Sequence, residues 1–143
     1  MKMTRTFLFL SLIGFNISCN LEDRSEKIIR DFLYNVYNGN YEEADQKVCE
    51  KRWNNPNEYL EVLQWILDIT DFMKKEGKLK YLEIENDGIF TDYELSLGYG
   101  SSSNVEYYMR FTIPNRSGLI DCDIYTVYYV AINPDPAPMP EVE

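Results

Sequence analysis

LKYLEIENDGIFTDYELSLGY, residues 79–99, is where the spacing of apolar side chains changes from the 3.6 of a helix to the 2 of a strand. Leu82 and Ile84 alternate with Glu83 and Glu85. Tyr93, Leu95, Leu97 and Tyr99 alternate with Glu94 and Ser96. Asp87-Gly88 between them is a favoured two-residue hairpin turn. A turn there predicts Leu82 opposite Tyr93, with one shared apolar face. Residues 98–103 read as a loop. A second hairpin follows, 104–113 and 120–132, joined across Asn115-Arg116-Ser117-Gly118. Val105, Tyr107, Met109, Phe111 and Ile113 line one face of its first strand. Pairing Pro114 with Leu119 predicts Phe111 opposite Cys122, Met109 opposite Ile124 and Tyr107 opposite Thr126. It also sets Asp123 against Arg110, a cross-strand ion pair.

Upstream of this stretch the spacing is helical. A first helix is expected from Asp23, with Glu26 as capping-box partner and Ile28, Ile29, Phe32, Leu33 and Val36 on its apolar face. Gly39 reads as a left-handed stop. Asn40 caps a short second helix that carries Tyr41, Ala44 and Val48 on one side. Asn55-Pro56-Asn57-Glu58 starts a third helix expected to run to about Lys75, with Gly77 beyond it. Only Glu61, Gln64, Asp68 and Asp71 form its polar stripe, so it is expected to pack on two surfaces, one of them the sheet. The order describes an α+β domain, three N-terminal helices packed on one face of a four-stranded antiparallel sheet.

The ends are of a different character. Lys2 and Arg5, the apolar stretch 7–17, Ser18 and Cys19 read as a bacterial lipoprotein signal over residues 1–18. Ser18 and Cys19 fit the usual lipobox, while Asn16 and Ile17 depart from it. An apolar run of 11 residues is too short for a permanent transmembrane helix. The mature chain is expected to begin at lipidated Cys19, with residues 19–24 as a tether and a single domain over 25–133. Pro134, Pro136, Pro138 and Pro140 make 134–143 an extended, exposed Pro-rich tail. In well-studied diderm bacteria an Asp after the lipidated cysteine favours inner-membrane retention. Asn20 stands there, which points to the outer membrane in preference to the inner.

Residues 19–143 number 125, enough for one domain with a core. Without Lys2 and Arg5 there are 12 basic side chains against 24 acidic ones, a net charge of −12. Such a chain does not bind nucleic acid by neutralising phosphates. It is repelled by anionic head groups, so its membrane association must come from acyl chains. Cys49 and Cys122, an even pair in an exported domain, are expected to form a disulfide, with two buried free thiols as the alternative.

There is no histidine, which removes the commonest general base and every His-dependent triad. No phosphate loop, zinc spacing or cofactor motif occurs. Asp121 and Asp123 flank Cys122 and read as a solvated face rather than a calcium site, so no metal is expected. The 12 tyrosines cluster on the second hairpin as Tyr107, Tyr108, Tyr125, Tyr128 and Tyr129. Tyr107 and Tyr128, with Tyr93 and Trp65, are the candidates for a ligand pocket or protein interface. β-propensity and packing are the favoured account of these tyrosines.

IIRDFLYNVYNGNYEEADQKVC, residues 28–49, resembles the opening of small bacterial lipoproteins with a nuclear-transport-factor-2-like (cystatin-like) domain. The shared pattern is a helix, an Asn-Gly-Asn-Tyr break and a second helix. The later helix and the Tyr-rich strands extend the likeness over most of the mature chain. It implies a curved sheet wrapping a helix in a cone that often encloses a pocket. Members include isomerases, dehydratases and non-catalytic binding domains, so the fold assigns no activity. The expectation is a membrane-anchored, non-catalytic binding domain of the cell envelope, for a small apolar ligand or an envelope protein. Two alternatives stay open. One is an isomerase- or dehydratase-like enzyme that uses Tyr107, Tyr128 and an inward Asp. The other is an interaction or inhibitor module with an exposed aromatic patch on the outer sheet face.

Overall fold

The computed structural model describes residues 24–51, 53–75 and 79–133. The expected signal sequence, Cys19, the expected helix start at Asp23, Gly77 and the expected Pro-rich tail lie outside the described residues. The elements are α1 (Arg24–Tyr37), α2 (Tyr41–Gln46), α3 (Pro56–Ile69), α4 (Phe72–Lys75), β1 (Tyr81–Asn86), β2 (Phe90–Tyr99), β3 (Glu106–Pro114) and β4 (Thr126–Ile132). The strands form one antiparallel meander in the order β1-β2-β3-β4, curved and unclosed. The α+β class with N-terminal helices is as expected.

The expected apolar face of α1 is buried in full: Ile28, Ile29, Phe32, Leu33 and Val36. Phe32 meets Phe111 of β3 edge to face, ring centroids 5.9 Å apart, at the centre of the core. Leu60, Leu63, Ile66 and Leu67 of α3 complete it from the helix side. Leu95, Leu97, Met109, Phe111, Ile113 and Val127 complete it from the sheet. Glu26 pairs with Arg30 one turn on at 2.9 Å; its expected capping partner Asp23 lies outside the described residues. Gly39 takes φ +75 and stops α1, its N–H donating to the Val36 carbonyl at 3.1 Å. Asn40 and Asn55 stand at the expected N-cap positions, without side-chain cap bonds.

Three expectations need correcting. The third helix does not run unbroken to Lys75. Thr70 turns its hydroxyl back onto the Ile66 and Leu67 carbonyls (2.8 and 3.3 Å), and Asp71 takes φ +51. Back-bonding threonines bend helices, and Asp tolerates the left-handed region, so α4 begins afresh.

The first hairpin is also displaced. Asp87 accepts from the Ile89 and Phe90 amides (2.7 and 2.6 Å), and Asn86 Oδ1 accepts from Gly88 N at 2.9 Å. These side-chain bonds widen the turn to 87–90, so pairing starts at Asn86↔Thr91, and a bulge at Ile84 shifts it again. Leu82 therefore faces Glu94 and is exposed. Tyr81 takes the inner position, edge to face with Tyr93 at 5.0 Å.

The second hairpin slips by five residues. Phe111 pairs with Val127, Met109 with Tyr129 and Tyr107 with Ala131. Residues 115–125 form a long connection whose end is held elsewhere. Val48 and Ile124 make an isolated parallel bridge, Cys49 N donates to Ile124 O (2.9 Å) and Ile124 N to Lys47 O (2.9 Å). Asp123 pairs with Lys47 at 3.4 Å, and Arg110 pairs with Glu94 at 2.6 Å. An odd slip turns every side chain to the other face of the sheet. Tyr129 and Val127 go in, and Tyr128 goes out.

Cys122 sits in this connection, not on a strand. Its sulfur and that of Cys49 lie at disulfide distance, with Cα atoms 5.7 Å apart. A bond between positions 73 apart would stabilise by about 4 kcal/mol in the chain-entropy picture. Reductant should therefore lower the urea midpoint and add two hydrogens to the intact mass; an unchanged mass would show that the thiols do not pair. Phe111→Ala, which opens the centre of the core, should cost about 3–5 kcal/mol by the same denaturation.

Candidate functional site

The structure does not bring the four sequence candidates together. Tyr93 is buried on the inner face, its hydroxyl accepting from Ser25 at 3.0 Å. Tyr107 is half-buried on that face, close to Ile69 and to Gly100, where a Cβ would stand 3.4 Å from each of the two side chains. Tyr128 lies on the outer face, opposite Arg110. Trp65 is 55% exposed on α3, on an open groove with Tyr37, Gln64 and Asp68. The trio of Tyr107, Tyr128 and an inward Asp is therefore not assembled. The first two point to opposite sides of the sheet.

Some aromatic residues are accounted for by packing. Trp53 stacks on Tyr59 at 4.4 Å, and Tyr59 meets Tyr129 at 5.5 Å. Asp45 holds this row, accepting from Trp53 Nε1 at 3.0 Å and from Lys51. The row ties the start of α3 to β4.

What the strands do assemble is a continuous outer face. Leu82, Glu94, Arg110 and Tyr128 form a row across all four strands. Ser96, Tyr108 and Val130 form a second row, and Tyr99, Glu106 and Ile132 a third. Period-2 alternation puts these side chains opposite the core. Arg110, Ser96, Tyr99 and Ile132 are exposed; Glu94, Glu106, Tyr108, Tyr128 and Val130 are half-buried.

The face is held by polar contacts. Arg110 Nε donates to Glu94 at 2.6 Å, and its Nη1 reaches the Tyr128 hydroxyl at 3.5 Å. Ser96 Oγ donates to Glu106 at 3.3 Å. The hydroxyls of Tyr99 and Tyr108 both bond to the Glu106 carboxylate. That bond pushes the Tyr108 phenol up to about 12, and the same carboxylate raises Tyr99. The Tyr128 hydroxyl, then Glu94, raise the Arg110 guanidinium further. At neutral pH both phenols keep their protons and act as donors, not bases.

At the Thr112 end of this face an open groove of about 400 Å³ carries Glu50, Glu85, Asp87 and Asp92 around Phe90 and Tyr125, whose rings meet at a tilt, 4.8 Å between centroids. Among the described residues no group of His, Cys, Asp or Glu is gathered that could hold a metal ion. The arrangement suits recognition: rigid phenols, the Arg110 cation and a rim of carboxylates on a curved sheet. Glu106 and Tyr99 were not singled out from the sequence. The alternation Glu106, Tyr108, Arg110 was the available signal, and on its own it reads only as the wet side of a strand.

Replacing Glu106→Gln should let Tyr108 ionise nearer the ordinary 10.0 than 12, followed by tyrosine absorbance or ring-carbon NMR across the alkaline range. The folded value is raised, so the contact's stabilisation is present below about pH 10 and is lost as pH rises through 12. An unchanged titration in the variant would show that Glu106 does not hold the phenol.

No protein-family model, no curated protein and no solved structure matches this chain.

Proposed function

We propose that this protein is a bacterial lipoprotein, anchored in the cell envelope through lipid on Cys19, whose nuclear-transport-factor-2-like domain binds a protein partner without catalysis. The outer membrane is the favoured site. The observation that carries the binding reading is the outer sheet face, uncovered among the described residues, with Tyr99, Tyr108, Tyr128 and Arg110 held in fixed positions across neighbouring strands. Tyrosine and arginine are the side chains that dominate protein interfaces, and a surface already ordered by its own hydrogen bonds loses little freedom on binding. A protein partner is favoured over a small apolar ligand because the grooves described above are open to solvent and lined largely by polar side chains. The anchor reading is supported by Cys19 after a short apolar run with a basic start.

Each half has its own test. Protein extracted from membranes should have a mass that begins at Cys19 and carries two or three acyl chains. An unmodified mass, or one retaining residues 1–18, would overturn the anchor. A photo-reactive side chain at Tyr108 should give one discrete partner adduct in cells, reduced by Arg110→Ala, while the same probe at Trp65 gives none. Adducts at Trp65 alone would move the interface off the sheet.

A further inference from the structure

Two aliphatic side chains stand in solvent at the end of the domain where the chain enters from Cys19. Ile89, in the turn between β1 and β2, is 54% exposed, and Leu119, in the connection 115–125, is 46% exposed. The two loops are tied together. Asn115 N donates to Ile89 O at 2.8 Å, Asn115 Nδ2 to Asn86 Oδ1 at 3.0 Å, and Thr91 Oγ1 to Asn115 Oδ1 at 2.5 Å. Arg24, the first residue of α1, is at the same end. Its Nη1 donates to Pro114 O at 2.7 Å, and it shares an open cleft of about 520 Å³ with Ser117, Gly118 and Ile120.

The length of chain outside the structure decides what meets this end. From Cys19 to Arg24 a fully extended chain reaches at most about 18 Å. A domain of this size is about 35 Å across, taken as a sphere of its expected radius of gyration. A tether shorter than the body it holds keeps the attached end towards the lipid. Side chains that insert at an interface need apolar tips and backbone already satisfied within the protein. Ile89 and Leu119 have the first, and the bonds just given supply the second for the Ile89 loop. Asp87 and Asp121 flank the tips, and the mature chain is strongly acidic, so an uncharged or zwitterionic head-group layer fits better than an anionic one.

We propose that Ile89 and Leu119 are the bilayer-contacting tips of the domain, set beside the lipid on Cys19. This rests on the anchor reading above. The sheet then stands across the membrane plane. Its outer face is open sideways to a partner, and the Tyr99, Glu106 and Ile132 row is farthest from the lipid.

The test uses the full lipidated protein, its mass confirmed, in phosphatidylcholine nanodiscs with a paramagnetic head-group lipid. Methyl signals of isoleucine and leucine report the distance of each side chain from the surface. Exposed Leu82, Ile84 and Ile132 serve as internal controls, so no variant has to fold. Broadening several-fold larger at Ile89 and Leu119 than at the three controls is the expected result. Equal broadening at all five, or the largest effect at Ile132, Leu82 or Ile84, would overturn the orientation and leave the anchor standing. Broadening at Ile89 and Leu119 that persists without the paramagnetic lipid and grows with protein concentration would mean that a second copy covers this end, and overturns the proposal as well. An unlipidated mass removes the anchor reading and this one with it.

Discussion

The backbone bonds between 47–50 and 124–125 decide more of this molecule than any side-chain contact. Cys49 N to Ile124 O, Ile124 N to Lys47 O and Glu50 N to Tyr125 O hold the end of the long connection against the stretch that follows α2. With those groups engaged, the connection turns onto β3 at Tyr125, whose N–H donates to Thr112 O at 2.8 Å, and the β3–β4 ladder runs on from Thr126. The start of β4 sets its parity, and parity sets which tyrosines enter the core. Tyr129 goes inward to meet Tyr59, and Tyr128 goes outward to meet Arg110. The Cys49 and Cys122 sulfurs come together at the same place, so any covalent bond there reinforces a register that hydrogen bonds already define.

The two faces of the sheet consequently do different work. The inner face is filled by Phe32, Leu33 and the α3 leucines, which hold the fold. The outer face carries exposed Tyr99, half-buried Tyr108 and Tyr128, and the Arg110–Glu94 pair. An ion pair of this kind adds little stability at a surface. Its effect is to fix side-chain positions, which is what a binding surface requires. Among the described residues, the curved, unclosed sheet has its inner face packed against the helices and leaves its outer face for other neighbours.

The hairpin tips show how local polar chemistry overrides pattern. Alternation alone places Leu82 in the core, yet Asp87 and Asn86 capture three amides of the turn and move the pairing. The outcome is an edge strand with exposed Leu82 and Ile84, flanked by Glu83 and Glu85. Charges and a bulge on an edge strand are the usual guards against edge-to-edge pairing.

The sequence by itself determined the α+β order, the buried face of α1, the stop at Gly39, the inward set Met109, Phe111 and Ile113, and the pairing partners Cys49 and Cys122. Each of these rests on signals within a few residues: apolar period, a glycine that tolerates positive φ, or the count of cysteines. Only the tertiary structure decided the break at Thr70, the register of both hairpins and the side on which Tyr128 falls. Those depend on bonds to distant backbone, such as 47–50 on 124–125, or on side chains that compete with the backbone for its own amides. A pattern of period 2 is satisfied equally by either parity of the partner strand, so no local signal could have chosen between them.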